Sequence, residues 1–564
     1  MSDRPDDVRD DRDEADDAID AEDSTGDDEA DSDGDDETDP DGEADEDAEP
    51  SSWKPQAVVG PTAAYGLALL TGVLYFLGFP GMDNWPVAFV ALVPMIVALH
   101  GQPVRRATGI GWLAGFTMTM IGFYWLLEML KVFSGFGTAI CVLFMALLCG
   151  YQAGRIALCG LLYGLATRRG WPAPWVFAGA FVASELVYPL LFPWYFGASV
   201  HNAPVFGQVA DIGGPYLVGL VLALANLAIA ELVIAKLFRQ PIRRSVIALG
   251  VAAPLVAALY GAWRISAVEG IMEQSEPVKV GMVQGNNPLK GRHQSIPNHL
   301  RLTRQLREQG AELVVWSEGA VSGFFPHNGY ERAVRHMVSR HLGVPTIIGT
   351  VLNERLPGTG PKGRNFRFFN VALMADAKGK IVGRYDKQFL LMFGEYLPFG
   401  QTFPILYQYS PNSGRFTPGT SLAPLELDGH RYATTICYED ISPSFVNDMV
   451  REGDPDMLVN MTNDAWFGDT TEPWIHLALA KMRSIEHRRY LVRVTNSGVS
   501  AIVDPIGRVV VHGGTFREEA LLGTARYLTA RTVYRTLGDL PWWLVTAAMV
   551  GAAIVRRPRR KTAA

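Results

Sequence analysis

One cysteine raises the first question about chemistry in this sequence. Cys437 ends the strand-like run in "YATTICYEDISPSF" and is followed at once by Tyr438, Glu439 and Asp440. A thiol in this position can be a buried filler, half of a disulfide or a nucleophile. The thiolate is the reactive form of cysteine, so a nucleophilic role requires a base and a source of positive charge nearby.

Charged residues that could activate a thiol follow other strand-like runs. Glu318 comes directly after "LVVWS", Lys387 follows the strand "KIVGRYD", and Glu395 lies further along in "KQFLLMFGEYLPFG". A carboxylate can accept a proton, and an ammonium group can stabilise an oxyanion. Each residue alone is typical of a solvated charge. Together with Cys437 they form a Glu, Lys and Cys set at strand ends, where loops build sites.

Histidine is the usual base for a thiol, but none is marked by its position. The histidines of the second half of the chain lie in polar or helix-like stretches, which favours surface or structural roles; they are His293, His299, His327, His336, His341, His430, His476, His487 and His512. The sequence contains no HExxH or CxxC motif, no paired histidine spacing, no GxSxG and no GxxxxGK[ST]. It therefore predicts neither a metal site nor a cofactor.

The elements that must position this set indicate an α/β domain over residues 276–530. Its strand-like runs are short, rich in β-branched residues and end in Gly, Asn or Asp. They are "VKVGMVQG", "AELVVWSEG", "PTIIGTV", "NVALMAD", "KIVGRYDK", "RYATTICYE", "DMLVNMTND", "YLVRVTNSG" and "SAIVDPIG". Helical stretches such as "IPNHLRLTRQLREQG" and "WIHLALAKMRSIEHRR" lie between some of them.

Two other regions differ sharply in composition from this domain. Residues 1–50 hold 27 Asp and Glu against three Arg, and such a segment cannot bury enough apolar surface to fold. We expect a disordered, solvated tail there. Apolar stretches near the ~20 residues that a bilayer requires come next. The predicted spans are 60–80, 84–100, 108–130, 137–166, 172–193, 214–236, 244–263 and 540–555.

Positive charges predict the orientation of these spans. Arginine and lysine clusters follow spans two, four, six and eight, and all fall on one side if the N-terminus is cytoplasmic. They are Arg105, Arg106, Arg168, Arg169, Lys236, Arg239, Arg243, Arg244, Arg556, Arg557, Arg559, Arg560 and Lys561. The region between spans seven and eight must then lie outside the cytoplasm. The predicted segments are an acidic tail (1–53), a seven-helix membrane domain (54–264), the outer domain (265–538), and a final span with a basic cytoplasmic tail (539–564).

The predicted membrane topology limits the disulfide partners that Cys437 can have. Cys141, Cys149 and Cys159 fall inside the fourth span, so Cys437 has no disulfide partner within the outer domain. A lone cysteine in an oxidising compartment is either well buried or kept for chemistry. The count alone leaves both possibilities open.

Longer motifs supply a family resemblance. "VVWSEG", "YDKQFLLMFGEYLPFG" and "TTICYED" resemble the three catalytic segments of the nitrilase superfamily of carbon–nitrogen hydrolases. The stretch from "NMTNDAWFGD" to "VDPIGRV", together with "LFPWYFGASVHNAP", is similar to the apolipoprotein N-acyltransferases of bacteria. The resemblance covers about residues 60–556. It implies a polytopic membrane domain of about eight helices and an extracytoplasmic nitrilase-like α-β-β-α sandwich.

The resemblance also implies roles for individual residues. Cys437 would be the nucleophile, Glu318 the general base, and Lys387 the oxyanion donor together with the backbone N–H of Tyr438. Glu395 would orient Lys387 or act as a second acid. Three further residues would support or shape the pocket; they are Glu439, Trp466 and Phe467. The family often carries a tryptophan after "QGN", whereas here His293 lies about where that residue is expected.

The implied reaction is a ping-pong acyl transfer from a membrane phospholipid to the amine of a diacylated apolipoprotein, the last step of lipoprotein maturation. The protein would act as a monomer in the bacterial inner membrane, without binding nucleic acid. The apolar run Phe389 to Phe393 would form a lid over acyl chains or simply pack in the core. Glu128 would lie at the outer end of span three, either snorkelling to water or touching substrate.

Two other functions fit parts of the sequence. A membrane-anchored amidase would use the same Glu, Lys and Cys set with water as the acceptor, but a soluble substrate requires no membrane spans. A transporter or receptor would need paired polar residues along its spans, and Arg155 and Glu185 are among the few present.

Overall fold

A computed structural model describes residues 57–288, 295–321, 324–326, 329–355, 366–400, 402–409 and 413–557. The acidic tail, His293, His327 and the last three residues of the basic C-terminal cluster lie outside these ranges. The predictions for those segments therefore stay predictions.

The N-terminal half of the described chain is helical and apolar. Its helices are α1 (Pro61–Gly78), α2 (Val93–Leu99), α3 (Val104–Gly122), α4 (Leu126–Ser134), α5 (Thr138–Gln152), α6 (Gly154–Arg168), α7 (Ala173–Val187), α8 (Pro204–Gly207), α9 (Ala210–Phe238) and α10 (Arg244–Gln274). Among the described residues, four helical stretches are long and apolar enough to cross a membrane: 61–78, 138–168, 210–238 and 244–274. The pair α3 and α4 adds a fifth if this span, bent by 68°, is counted as one.

Shorter apolar helices account for the remaining predicted spans. They cover 85–99, 173–187 and 540–554, and each is shorter than the length that a bilayer requires. The structure thus confirms several candidate spans, and the total of eight stays a prediction. Helix α10 continues to Gln274, beyond the expected domain boundary at residue 264.

Small residues bring two of these helices into close contact. A Cβ atom placed on Gly164 of α6 would lie 2.9 Å from the Cα atom of Val104 on α3. One placed on Gly115 of α3 would lie 3.0 Å from the Cα atom of Ala153, directly before α6. Such contacts leave no room for a side chain, and this packing through small residues is common between membrane helices.

The strands form two sheets. They are β1 (Pro277–Gln284), β2 (Leu313–Trp316), β3 (Phe324–Pro326), β4 (Thr346–Arg355), β5 (Phe366–Ala375), β6 (Ile381–Asp386), β7 (Leu425–Leu427), β8 (His430–Ile436), β9 (Met457–Thr462), β10 (Leu491–Thr495), β11 (Ala501–Val503), β12 (Val509–His512) and β13 (Glu519–Arg526). One sheet has the order β13-β1-β2-β4-β5-β6 with β3 beside β4, and the other has the order β12-β11-β10-β9-β8-β7. The predicted two-sheet α/β domain is confirmed.

Alternating side chains explain why the sheets stack. Met282 of β1 belongs to the same buried cluster as Met461 of β9, so these faces meet between the sheets. Val283, the next residue along β1, packs instead with Leu302 on the outer side of the first sheet. The remaining helices are α11 (Ser295–Glu308), α12 (Tyr330–Met337), α13 (Leu406–Tyr409), α14 (Pro443–Gly453), α15 (Glu472–His487), α16 (Val533–Leu537) and α17 (Leu540–Ile554).

Helix α15 joins the sandwich to the membrane helices. Lys481 donates a hydrogen bond to the backbone carbonyl of His201 at 2.9 Å. At the end of the helix, the Arg488 guanidinium lies 2.7 Å from the Asp211 carboxylate of α9. Both Lys481 and Arg488 are buried, so the two halves form one continuous packed structure at this helix.

Candidate active site

Cys437 lies at a sharp turn at the end of β8. It is the first residue of the 3-10 turn Cys437–Ile441 and has a φ of +56°, a left-handed value that costs energy for a residue with a side chain. The Asn460 side chain holds its carbonyl through a 3.0 Å hydrogen bond. Cys437 as a whole residue is 8% exposed. Burial and the Glu318 carboxylate raise the pKa of Cys437 well above its usual value, and Lys387 opposes them.

Glu318, Lys387 and Glu395 come together beside this thiol. The Lys387 Nζ atom lies 2.8 Å from Oε2 of Glu395 and 3.5 Å from Oε1 of Glu318. Burial by itself would lower the pKa of Lys387, but the two carboxylates raise it well above its usual value. The two carboxylates thus favour the charged form of Lys387. Burial raises the pKa of Glu318, while the Lys387 charge limits the rise.

Asn370 is a fourth member of this group that the sequence did not reveal. It lies on β5, and its Nδ2 atom donates to Oε1 of Glu318 at 2.7 Å and to Oε1 of Glu395 at 3.1 Å. Its backbone carbonyl accepts from the N–H of Lys387 at 2.9 Å. Asn370 thus links both carboxylates to the strand next to Lys387. We call Glu318, Asn370, Lys387 and Glu395 the Glu318 cluster.

The close contact between Glu318 and strand β4 depends on one glycine. A Cβ atom on Gly349 of β4 would lie 2.9 Å from the Cα atom of Glu318 and 2.9 Å from the side chain of Met461. The chain after β2 therefore passes directly over Gly349 towards the second sheet. Any larger residue at this position would push Glu318 away from the interface between the sheets.

Glu439 connects the nucleophile's turn to the Lys387 loop. Its Oε1 atom accepts from the backbone N–H groups of Gln388 and Phe389 at 2.7 and 3.0 Å. Its Oε2 atom accepts from the N–H of Ile436 at 2.7 Å and from the Tyr385 hydroxyl at 2.9 Å. Burial raises the pKa of Glu439 to about 7. The contacts favour a positioning role for Glu439 over direct contact with substrate.

Tyr438, Phe467 and Trp466 lie where the sandwich meets the membrane helices. The Tyr438 hydroxyl donates to Glu472, and its ring lies 5.7 Å from that of Phe467 in an edge-to-face arrangement. Phe467 is buried, whereas Trp466 is 37% exposed and its ring centroid lies 6.3 Å from that of Phe133 on α4. Of these residues, only Trp466 presents a substantial free surface.

A second buried ionic group lies behind Tyr438, and we call Asp440, Asp464, Glu472, His476 and Arg493 the Arg493 cluster. The Arg493 guanidinium contacts Asp440 at 3.1 Å and Asp464 at 3.0 Å. His476 bonds Asp440 at 2.9 Å and its ring stacks on that of Tyr438, with centroids 4.5 Å apart. The sequence predicts a surface or structural role for His476, and these buried contacts favour the structural role.

The Arg493 cluster holds two cations of its own. Ligand atoms of Asp464, Glu472 and His476 lie within 4.8 Å of one another, close enough to hold a metal ion. However, although burial and Arg493 lower it, the nearby aspartates raise the pKa of His476 to about 9. Burial raises the pKa of Glu472 to about 8. Arg493 and His476 thus supply positive charge to the three carboxyl groups, and these buried contacts favour a structural role for the cluster.

Glu128 lies beside the turn that carries Trp466 and Phe467, since a Cβ atom placed on Gly468 would lie 3.7 Å from the Cβ atom of Glu128. The other three cysteines lie in helices α5 and α6. The Glu128 side chain is 49% exposed and pairs with Lys131 at 3.0 Å, as expected for a residue at the end of a helix. All four cysteines are free, including Cys437. The disulfide explanation for Cys437 is therefore removed, and a buried thiol beside a cation and two carboxylates remains. This arrangement can perform nucleophilic acyl transfer.

Comparisons with known proteins agree with this geometry. Two family models match the chain: the apolipoprotein N-acyltransferase N-terminal domain over residues 71–228, and carbon-nitrogen hydrolase over residues 279–533. Apolipoprotein N-acyltransferase of Azotobacter vinelandii is 31% identical over 522 residues, which cover 88% of this chain and 96% of that protein. The same enzyme of Geobacter metallireducens is 29% identical over 515 residues, covering 88% and 95%.

A solved structure is similar to about half of the chain. Saccharomyces cerevisiae Nit3, a member of the nitrilase superfamily, aligns with a TM-score of 0.34 and 17% identity, covering 47% of this chain and 95% of that one. The curated relatives match along almost their whole length, through both the helical region and the sandwich. On these matches, the chain belongs to the apolipoprotein N-acyltransferase family.

Proposed function

We propose that this chain is an apolipoprotein N-acyltransferase that works through a thioester on Cys437. The observation that carries the proposal is the Lys387 ammonium group, which is held by Glu318 and Glu395 next to a thiol on a strained turn. The acyl donor is a membrane phospholipid, and the acceptor is the N-terminal diacylglyceryl-cysteine of an apolipoprotein. The family membership supports both substrates.

In the first step the thiol attacks the donor ester. Glu318 takes the proton from Cys437 while the sulfur bonds to the carbonyl carbon. The carbonyl oxygen becomes an oxyanion, which Lys387 and the backbone N–H of Tyr438 stabilise. The carbon–oxygen bond of the ester then breaks, and Glu318 returns the proton to the departing lysophospholipid. Because the pKa of the thiol is raised, this step requires Glu318 to act as a base.

In the second step the acceptor amine replaces sulfur. The neutral α-amino group attacks the thioester carbonyl and forms a second oxyanion at the same donors. Glu318 accepts the proton lost by the amine, and the carbon–sulfur bond breaks as the thiolate leaves. The thiolate regains the proton from Glu318, which restores the resting enzyme. Glu395 remains the counter-charge that keeps Lys387 oriented throughout.

The proposed location is the bacterial inner membrane, with eight spans and both termini in the cytoplasm. The segments follow the sequence: a tail (1–53), seven helices (54–264), the catalytic domain outside the cytoplasm (265–538), and a last helix with a basic tail (539–564). Basic residues at the described helix ends support this topology, among them Arg105, Arg168 and Arg243. We propose that the enzyme acts as a monomer.

An exposed apolar surface on the catalytic domain supports contact with lipid. Leu391 packs against the core, but other side chains of the same loop face outward. The exposed residues are Phe389, Met392, Phe393, Phe399, Phe403, Ile405 and Leu406, and Phe399 is 75% exposed. A soluble domain rarely shows so many large apolar groups on one segment. We propose that this loop enters the bilayer and guides acyl chains towards Cys437.

The proposal is tested by following an acyl group. Purified enzyme is incubated with a phospholipid carrying a labelled acyl chain, and then with a lipopeptide bearing an N-terminal diacylglyceryl-cysteine. We expect a hydroxylamine-sensitive label on Cys437 that moves to the peptide amine. Cys437→Ala should remain unlabelled, while Cys149→Ala, which changes a buried cysteine of α5, should behave like wild type. Equal labelling of Cys437→Ala, or release of the label only as free fatty acid, would overturn the proposal.

A further inference from the structure

Buried polar side chains of the membrane helices hold one loop, which we call the 191–196 segment. Gln152, at the end of α5, binds it on both sides: its Oε1 atom accepts from the N–H of Leu191 at 2.9 Å, and its Nε2 atom donates to the carbonyl of Phe192 at 2.9 Å. Gln152 is 1% exposed. One side chain thus fixes the direction of the chain at the start of the segment.

An ion pair holds the rest of the segment. Arg155 donates to the carbonyl of Trp194 at 2.6 Å, and its guanidinium lies over the Trp194 ring at 3.2 Å. Glu185 accepts from the N–H of Phe196 at 2.9 Å and lies 3.3 Å from Arg155. Buried ion pairs cost desolvation energy and add little to stability compared with apolar packing. Their use here points to a requirement for a defined backbone geometry.

The segment presents Phe192 to the catalytic domain. The Phe192 ring lies 5.1 Å from that of Trp125 and 5.8 Å from that of Tyr438, both edge to face. Trp125 also contacts Phe467 at 5.2 Å, and Phe467 contacts Tyr438 at 5.7 Å. Each of these four rings thus contacts two of the others. Trp125 and Phe192 belong to the helical region, and Tyr438 and Phe467 belong to the sandwich. Tyr438 is the residue directly after the nucleophile.

We propose that Gln152, Arg155 and Glu185 are positioning residues that let the membrane helices set the geometry of the Cys437 turn through Phe192. The inference rests on the proposed roles of Cys437 and of the Tyr438 N–H. The turn is strained, so a support on the Tyr438 ring is needed to hold both the sulfur and the oxyanion donor in place. A displacement of about 1 Å in such a site can cost about 100-fold in rate.

The first test replaces Gln152 by an apolar residue of similar size. Gln152→Leu should reduce the rate of acyl-enzyme formation about 10- to 100-fold, with the KM for phospholipid changed less than about twofold. Asn226→Leu is the matched control, because Asn226 is equally buried in α9 and bonds to the backbone of Ala88 and Leu92. It should lower thermal stability to a similar degree and leave the rate within about twofold of wild type.

A double-mutant cycle shows whether the effect passes through Phe192. Phe192→Ala should slow acylation as Gln152→Leu does, and combining the two should slow it less than about twofold further. The inference would be overturned if the two rate reductions multiplied in the double variant or if only KM changed. It would also be overturned if Asn226→Leu slowed acylation as much as Gln152→Leu. If Cys437 is labelled normally in all these variants, only this inference fails; if Cys437→Ala still acylates, the proposed function fails.

Discussion

Two buried ionic clusters flank Cys437, and they differ in exposure. In the Glu318 cluster one cation, Lys387, faces two carboxyl groups, and the side chains of Glu318 and Glu395 are each 13% exposed. In the Arg493 cluster two cations face three carboxyl groups, and no side chain of Asp440, Asp464, Glu472, His476 or Arg493 exceeds 2% exposure.

The difference separates a group that can exchange protons from one that holds the fold. An extra carboxylate beside a thiol has a raised pKa and can take a proton without leaving a buried charge unpaired. A fully enclosed cluster has no access to substrate, and a proton transfer there would leave an uncompensated buried charge. Burial and charge alone therefore do not identify the reacting residues, whereas access to substrate distinguishes the two clusters.

The largest effect on rate is expected at Glu318. Glu318→Gln keeps the shape of the side chain but removes the base, so acyl-enzyme formation should fall roughly 1000-fold, within the range for loss of general base catalysis. Glu269→Gln is the control, because the Glu269 side chain is 42% exposed and its ion pair with Arg508 contributes little. The measurement is single-turnover labelling of Cys437. A loss below tenfold in Glu318→Gln would show that another group takes the proton.

The largest effect on stability is expected at Arg493. Arg493→Met leaves Asp440 and Asp464 buried with His476 as the one cation left in the cluster, which should cost about 3–5 kcal/mol of unfolding free energy. Arg301→Met removes an arginine whose side chain is 53% exposed and should cost less than about 1 kcal/mol. Thermal unfolding in detergent compares the two. If Arg493→Met is as stable as wild type but inactive, the Arg493 cluster belongs to the reaction and our distinction is wrong.

Much of the site could be predicted because strand ends converge at one edge. Glu318, Lys387 and Cys437 each follow a short run that is rich in β-branched residues. This pattern located the strands before them well. Asn370 was missed, since it lies within β5 and its amide gives no signal until β5 and β6 pair. A surface or structural role was predicted for His476, but its pairing with Asp440 was not, because Asp440 comes from another element.

Local composition predicted neither the end of helix α10 nor the presence of strand β13. The predicted end of the seventh span, residue 263, is followed by Arg264, but α10 continues because Arg264 pairs with Asp211 of α9 at 2.8 Å. Strand β13 was missed, since its residues are mostly half-buried and it is recognised only by its antiparallel pairing with β1. In both cases the structure depends on contacts with residues that are remote along the chain, and local composition does not reveal such contacts.

A smaller effect is expected at Asn370. Asn370→Leu removes the amide that holds Glu318 and Glu395, while Lys387 still contacts both carboxylates, so the loss should be about tenfold. Because Glu318 serves both steps, acylation and transfer to the lipopeptide should slow by similar factors, with KM values little changed. Separate measurement of the two steps checks this. A defect confined to one step would mean that Asn370 contacts a substrate instead of orienting the base.

The smallest effect is a shift in the pH dependence of thiol reactivity, which tests the charges of the Glu318 cluster directly. The Glu318 carboxylate raises the pKa of Cys437 and the Lys387 ammonium lowers it. Glu318→Gln should therefore move the alkylation profile of Cys437 with iodoacetamide to lower pH, and Lys387→Met should move it to higher pH. Arg493 also interacts with the thiol, but from the enclosed side. Any folded Arg493→Met protein should shift the profile less than Lys387→Met, and a larger shift would place the controlling charge in the Arg493 cluster.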